Sequence, residues 1–240
     1  MRSIDQVVAH VASAHERERA LIQGIDEDSA RAPSLLPGWT RGHVLSCRLA
    51  FLRAARRQVD NALAGSSSDF YDGGKPGREA EIDKHANSQA DWLVAAVQRE
   101  IHGLDQAWAE MSEADWLRPA NYREPCTLAS VLHGSWRETE IHCVDYGLGV
   151  DVASWSPEFC AHLFDFLTPR VPENLQLEFQ APGEGIWRIG DGDRVTLTGS
   201  LPDLAGWLAG REPAGFIESS TGSLPSLQRL RRPRRSPATG

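Results

Sequence analysis

The feature that most constrains the fold is a series of long apolar stripes at helical spacing in the first 150 residues. The stripes follow residues 3–24, 41–64, 78–112 and 127–146. In each of them apolar residues recur every three or four positions, which is typical of an amphipathic helix. Ser3 and Thr40 stand where N-cap residues are expected. Four long helices in one block predict a four-helix bundle.

Two loops separate the first three predicted helices, at residues 26–39 and 66–77. Glycine and proline are frequent in the second, which predicts a mobile loop over 66–77. Both loops are longer than the connections of an idealised bundle. Long loops of this kind often border a functional site.

The pattern changes after Gly149. Residues 157–168 and 201–210 have the spacing of short helices, and three alternating segments between them predict strands at 175–179, 186–189 and 194–198. The predicted fold class is therefore α+β, a helical bundle followed by a small α/β domain. The predicted divisions are 1–152 for the bundle, 153–228 for the small α+β domain and 229–240 for an arginine-rich, disordered tail.

Charge and composition exclude several classes of protein. The chain has 33 acidic and 25 basic residues and a formal net charge of −8, which argues against a nucleic-acid binder. The four cysteines form no CxxC pair, as expected for reduced thiols in a cytosolic protein. No signal peptide and no run of 18 apolar residues is seen, so we expect a cytoplasmic protein without membrane contact.

The fourth predicted helix carries a carboxylate and an imidazole on one face. Glu138 and His142 are four residues apart, so their side chains are neighbours on the helix surface. Inside a bundle such a pair is costly unless it is paired or binds a metal. A solvated Glu–His pair has the same spacing, so the motif alone leaves both interpretations open.

The second predicted helix offers complementary donors. His43 and Cys47 are also four residues apart, and both side chains are good ligands for a zinc-like ion. The alternatives are a half-solvated histidine in the first turn and a cysteine that packs as a small apolar residue. Four further histidines lie on charged helices and are expected to be solvated: His10, His15, His85 and His102.

Several segments together resemble the mycothiol-dependent maleylpyruvate isomerases, a family of the DinB-like metalloprotein superfamily. The resemblance rests on Ser34-Leu35-Leu36-Pro37-Gly38-Trp39-Thr40-Arg41-Gly42-His43-Val44-Leu45 and on Arg137-Glu138-x-x-Ile141-His142-x-Val144-Asp145. Near the C-terminus it continues in Gly199-Ser200-Leu201, Ala209-Gly210-Arg211 and Ser219-Ser220-Thr221-Gly222. It covers nearly the whole chain, and it implies a DinB-like four-helix bundle followed by a small α/β domain.

The resemblance also implies a set of site residues. In the family, zinc is held by a histidine of the second helix and by the Glu and His of the fourth, which correspond here to Cys47, Glu138 and His142. Cysteine at 47 departs from the family pattern, and a thiolate there would make the ion a poorer Lewis acid. Three outcomes stay open: Cys47 binds the metal, His43 replaces it, or the metal is lost. The family's catalytic arginine corresponds to Arg211, which also stands where a helix C-terminus favours a cation.

The implied activity is a mycothiol-dependent cis–trans isomerisation of maleylpyruvate to fumarylpyruvate. The thiolate would add to the double bond, the resulting single bond would rotate, and elimination would release the trans product. The implied cofactors are zinc, or another divalent metal, and mycothiol, and the partners are a small-molecule substrate and this low-molecular-weight thiol. Two alternatives remain, a mycothiol S-transferase of the same superfamily and a non-catalytic binding module that has lost the metal site.

Overall fold

The computed structural model describes residues 3–229 and divides the chain into two compact units after Gly149. The arginine-rich tail predicted for 229–240 lies, from residue 230 onward, outside the described residues. All four cysteines are free thiols. No helix within residues 3–229 is both long and apolar enough to cross a membrane.

The first unit is built around four long helices, as the apolar stripes predicted. Its helices are α1 (Ile4–Ile22), α2 (Glu27–Arg31), α3 (Arg41–Ala64), α4 (Gly74–Ala86), α5 (Ala90–Ala109) and α6 (Leu128–Asp145). Helix α3 packs against α4, α5 and α6, and α1 packs against α5 and α6. Leu45, Leu52 and Val131 are among the fully buried residues between them.

The local signals at helix ends act as predicted. The Ser3 and Thr40 hydroxyls accept hydrogen bonds from the backbone N–H groups of Gln6 and His43, which satisfies donors at the first turns of α1 and α3. Helix α3 ends at Gly65, whose φ of 67° is a left-handed conformation that glycine adopts without strain. The predicted bounds of this helix, 41–64, are confirmed.

The single long helix predicted for 78–112 is wrong, because the chain forms α4 and α5 with a break at 87–89. Helix α4 begins at Gly74, inside the segment predicted as a loop. The break is stabilised by α2: Glu27 Oε2 accepts from the Ala90 N–H at 2.7 Å, and the Arg31 guanidinium donates to three carbonyls at the end of α4. These partners are distant in sequence, so the apolar spacing gave no sign of the break.

A β-hairpin that the sequence did not reveal joins α5 to α6. Strands β1 (Pro119–Tyr122) and β2 (Glu124–Thr127) pair antiparallel around Arg123, whose φ is 63°. The hairpin presses the Tyr122 ring onto α6 at Gly134, where an added Cβ would lie 2.6 Å from a ring carbon. Glycine at 134 therefore permits a close approach that brings Tyr122 beside the middle of α6.

Polar pairs are buried inside the bundle. Arg48 and Glu18 are both 0% exposed, and the guanidinium donates from Nε and Nη2 to the two carboxylate oxygens at 2.7 Å. Arg48 also donates to Thr139 Oγ1 at 2.9 Å, and the Tyr146 hydroxyl donates to Glu18 at 3.1 Å. The pair therefore connects α1, α3 and α6.

The prediction that His15 is solvated is wrong. His15 is 0% exposed, its Nδ1 lies 2.5 Å from Asp105 Oδ1, and its Nε2 lies 3.2 Å from Ser135 Oγ. The helix α1 face that carries it packs against α5 and α6, which supply both partners. Of the other three histidines, His102 is exposed as predicted, whereas His10 and His85 are half-buried.

The second unit is a small α/β domain. It contains α7 (Pro157–Leu167), β3 (Leu175–Ala181), β4 (Gly185–Ile189), β5 (Asp193–Thr198), α8 (Leu201–Ala209) and β6 (Glu218–Ser219). The sheet order is β4-β3-β5-β6, with β3 and β5 parallel and the other neighbours antiparallel. The stacked rings of Phe164 and Phe179, 4.7 Å apart, pack α7 onto the sheet.

Candidate active site

The structure brings three of the predicted site residues together inside the bundle. Cys47 Sγ of α3 lies 3.7 Å from His142 Nε2 of α6, and the same nitrogen lies 3.3 Å from Glu138 Oε2. Cys47 is 0% exposed, and the Glu138 side chain keeps 19% of its surface exposed. A thiol sulfur and a carboxylate oxygen therefore lie near the same imidazole nitrogen.

Asp145 fixes the orientation of the imidazole. Its Oδ2 lies 2.8 Å from His142 Nδ1, and its side chain is 1% exposed. The hydrogen bond leaves Nε2 facing Cys47 and Glu138. A carboxylate on the far nitrogen is the usual partner of a metal-binding histidine. Asp145 lies in the motif at 137–145, but the sequence analysis gave it no role.

Two further residues, which the sequence analysis did not identify, contact the side chains of Glu138 and Cys47. Tyr122 of β1 donates from its hydroxyl to Glu138 Oε1 at 3.2 Å. Arg78 of α4 donates from Nη2 to Cys47 Sγ at 2.9 Å, and its guanidinium carbon lies 5.7 Å from the centre of the Tyr71 ring. Neither belongs to a local motif, since the hairpin and α4 position them from elsewhere in the chain.

Opposite charges stabilise one another in this site. Burial alone would lower the pKa of His142, but attraction to Cys47 and hydrogen bonds to Asp145, Cys47 and Glu138 raise it well above its usual value. Burial would likewise raise the pKa of Glu138, but the hydrogen bond and charge of His142, with Arg123 and Arg48, lower it. The Glu138 and His142 side chains therefore stabilise each other's charged forms.

The residue types in this cluster are ones that zinc prefers. Tetrahedral zinc with bonds of about 2.0–2.3 Å places neighbouring donors about 3.3–3.6 Å apart, close to the 3.3 and 3.7 Å observed around His142 Nε2. One nitrogen, one oxygen and one sulfur donor also match zinc chemistry. Within residues 3–229, however, no group of three or more His, Cys, Asp or Glu residues is arranged so that it could hold a metal ion, and the Arg78 N–H contacts the Cys47 sulfur directly.

His43 has a different role in the structure. Its Nδ1 accepts from the Thr40 N–H at 3.2 Å and lies 2.8 Å from Thr40 Oγ1, so the ring closes the capping box of α3. Trp39 stacks on the ring with 6.0 Å between centroids. These contacts account for His43 as a structural residue of the helix start.

Arg211 lies in the second unit, directly after the end of α8. Gly210 adopts a left-handed conformation, the Arg211 N–H donates to the Gly206 carbonyl at 2.8 Å, and Nη1 donates to the Ala209 carbonyl at 2.9 Å. Burial, and secondarily the charge of Arg211, lower the pKa of Arg170. Within its own unit Arg211 thus helps to close the C-terminus of α8.

Comparison with known proteins places the chain in a family. Residues 11–147 match the mycothiol maleylpyruvate isomerase N-terminal domain, and residues 154–229 match the C-terminal domain of the same family. No curated protein matches the chain.

Solved structures have the same fold. The crystal structure of a mycothiol-dependent maleylpyruvate isomerase superposes with a TM-score of 0.86 at 24% identity, covering 95% of this chain and 97% of that one. A histidine-to-alanine variant of that isomerase gives the same values. A Streptococcus pneumoniae protein matches at a TM-score of 0.51 and 12% identity, over 62% of this chain and 93% of its own. Because the N-terminal and C-terminal domains of one family match this chain in the same order, the chain belongs to the mycothiol maleylpyruvate isomerase family.

Proposed function

We propose that this protein is a mycothiol-dependent cis–trans isomerase that converts maleylpyruvate to fumarylpyruvate. The observation that carries the proposal is the match of both domains, at 11–147 and 154–229, to one isomerase family. The cluster of Cys47, Glu138 and His142 supports it, because all three residues lie within 11–147, the segment that matches the family's N-terminal domain.

The proposed reaction proceeds by addition and elimination. The thiolate sulfur of mycothiol bonds to one carbon of the cis double bond, and the electron pair moves onto the conjugated ketone oxygen as an enolate. The carbon–carbon bond is then single and rotates. The enolate returns its electron pair, the double bond forms again in the trans geometry, and the carbon–sulfur bond breaks, which regenerates the thiolate.

In this proposal Cys47, Glu138 and His142 would hold a zinc-like ion, and Asp145 keeps Nε2 of His142 directed toward it. When bound, the ion supplies a lowered thiol pKa, so that the sulfur of mycothiol is nucleophilic at neutral pH. Arg211 would bind a substrate carboxylate or steady the enolate through its planar guanidinium. Arg78 donates to the Cys47 sulfur and so offsets the negative charge that a cysteine brings to the donor set.

The test is a product analysis with metal quantification. Purified protein is incubated with maleylpyruvate with and without mycothiol, the products are separated by chromatography, and bound metal is measured by mass spectrometry. We expect fumarylpyruvate only when mycothiol is present, with stoichiometric divalent metal. A stable thioether product would overturn the isomerase in favour of an S-transferase. Absence of both turnover and metal would favour the non-catalytic binding module.

A further inference from the structure

A cavity of about 300 Å³ lies between α3 and α4, beside the candidate active site. Its volume is at the lower end of the range of small-molecule sites, roughly 300–1,000 Å³. Three guanidinium groups line it, those of Arg53, Arg57 and Arg78, against the two carboxylates of Asp72 and Glu81. The lining therefore carries an excess of positive charge in a protein whose net charge is negative.

Arg78 connects this cavity with the donor cluster. Its guanidinium lines the cavity while its Nη2 donates to Cys47 Sγ at 2.9 Å. A ligand held in the cavity is thus separated from the candidate metal donors by a single side chain. The cavity is therefore placed to hold one end of a molecule whose other end reacts at the cluster.

The other two arginines differ in how firmly they are engaged. Arg57 donates to Asp72 Oδ2 at 2.7 Å and to the Phe70 carbonyl at 2.5 Å, which fixes the loop before α4. Among the residues from 3 to 229, Arg53 makes only long ion pairs, 3.5 Å to Glu81 and 3.5 Å to Glu100, whereas charge-assisted hydrogen bonds usually measure about 2.7–2.9 Å. The Arg53 side chain is also 39% exposed. A carboxylate that replaced one of these long contacts would gain a shorter, bidentate one.

We propose that this cavity binds a small carboxylate ligand, with Arg53 as its bidentate partner and Arg78 as the cation at its inner wall. A carboxylate fits this chemistry because the planar guanidinium presents two parallel N–H donors to its two oxygens. The identification of the ligand as the substrate's own carboxylate rests on the proposed function. The proposal that the cavity binds a carboxylate does not depend on the proposed function.

The first test measures binding without turnover. Titration calorimetry at low ionic strength compares succinate, an unreactive dicarboxylate, with the uncharged succinamide. We expect succinate to bind the wild-type protein and succinamide not to, and Arg53→Gln to weaken succinate binding at least tenfold. Arg56→Gln is the matched control, because Arg56 lies on the same helix, is 44% exposed, pairs with Asp60 and does not line this cavity. A far-UV circular dichroism melt checks that both variants fold.

The second test separates the two proposals. In an active preparation, Arg53→Gln is expected to raise KM for maleylpyruvate at least tenfold with little change in kcat, as for lost binding of a non-reacting group. Arg53-dependent succinate binding without isomerase activity would keep the cavity site and overturn the proposed function. Isomerase activity with equal succinate affinity in the wild-type, Arg53→Gln and Arg56→Gln proteins would overturn the cavity site alone.

Discussion

Replacing Glu18 by Gln should destabilise the first unit strongly. The change leaves the Arg48 guanidinium fully buried without its carboxylate. It also places an amide NH2 group opposite one of the guanidinium N–H donors, which in the wild type lie 2.7 Å from the Glu18 carboxylate oxygens. Within residues 3–229, Arg48 Nη1 already lacks a hydrogen-bond partner, so the arginine depends on Glu18 and Thr139. Removing one member of a buried ion pair costs about 3–5 kcal/mol. At about 2–4 °C per kcal/mol for a chain of this size, Tm should fall by roughly 6–20 °C.

The pH dependence of this effect has a definite sign. Burial acts to raise the pKa of Glu18, but the charge and hydrogen bonds of Arg48 outweigh it and lower the pKa below its usual value. A carboxyl group with a lowered folded-state pKa stabilises the fold above its unfolded pKa, which is about 4.3 for Glu. That stabilisation is lost as the pH falls through the folded pKa. The difference between wild type and Glu18→Gln should therefore be full at pH 7 and shrink in acid.

Urea unfolding followed by far-UV circular dichroism measures the free energy of unfolding of both proteins. The exposed Arg56–Asp60 pair on α3 supplies the control, since Asp60→Asn should cost less than about 0.5 kcal/mol. The double variant Glu18→Leu with Arg48→Met should recover most of the loss, because apolar side chains remove the need for a buried counter-charge. If Glu18→Gln costs no more than Asp60→Asn at pH 7, the buried Arg48–Glu18 pair does not stabilise the fold.

Three further predictions concern the candidate active site. His142→Ala should remove bound metal and thiol-dependent activity but keep most helical content. Metal analysis and circular dichroism measure this, with the exposed His102→Ala as the control. Loss of cooperative folding in His142→Ala would make the ion structural. Cys47→His should keep the metal and raise isomerase turnover, whereas unchanged metal with lower turnover would mean that cysteine is suited to another reaction. Arg211→Lys should lower kcat/KM about tenfold or more, some 1.4 kcal/mol in transition-state binding, with metal content unchanged; wild-type kinetics would leave Arg211 as a helix-capping residue.

Elements with local signals were predictable from the sequence. Helix α3 has an apolar stripe, an N-cap at Thr40 and a left-handed glycine at 65, and each of these acts through neighbours within one turn. The break between α4 and α5 depends instead on Glu27 and Arg31 of a short helix some 60 residues earlier. Apolar periodicity continues across this break, so the sequence pattern favoured one helix where the fold makes two.

The candidate site likewise combines residues that local spacing predicted with residues that distant elements bring in. Helical spacing placed Glu138 and His142 on one face and offered His43 and Cys47 as further candidates, and the family resemblance favoured Cys47. Tyr122 and Arg78 reach the site from a hairpin and a helix that no motif marks. His15 was misjudged because burial of α1 is decided by partners 90 and 120 residues away, and a charged helix sequence does not reveal which of its faces they cover.

The buried polar face of α1 has a consequence for synthesis of the chain. Helix α1 is translated before α6, yet Ser135 and Tyr146, which contact the buried His15 and Glu18 of α1, lie on α6 or directly after it. The native contacts of α1 can therefore be completed only after α6 has been translated. Domains generally fold as units during translation, so we expect the bundle to fold as a unit only after α6 is available, not helix by helix from α1 onward.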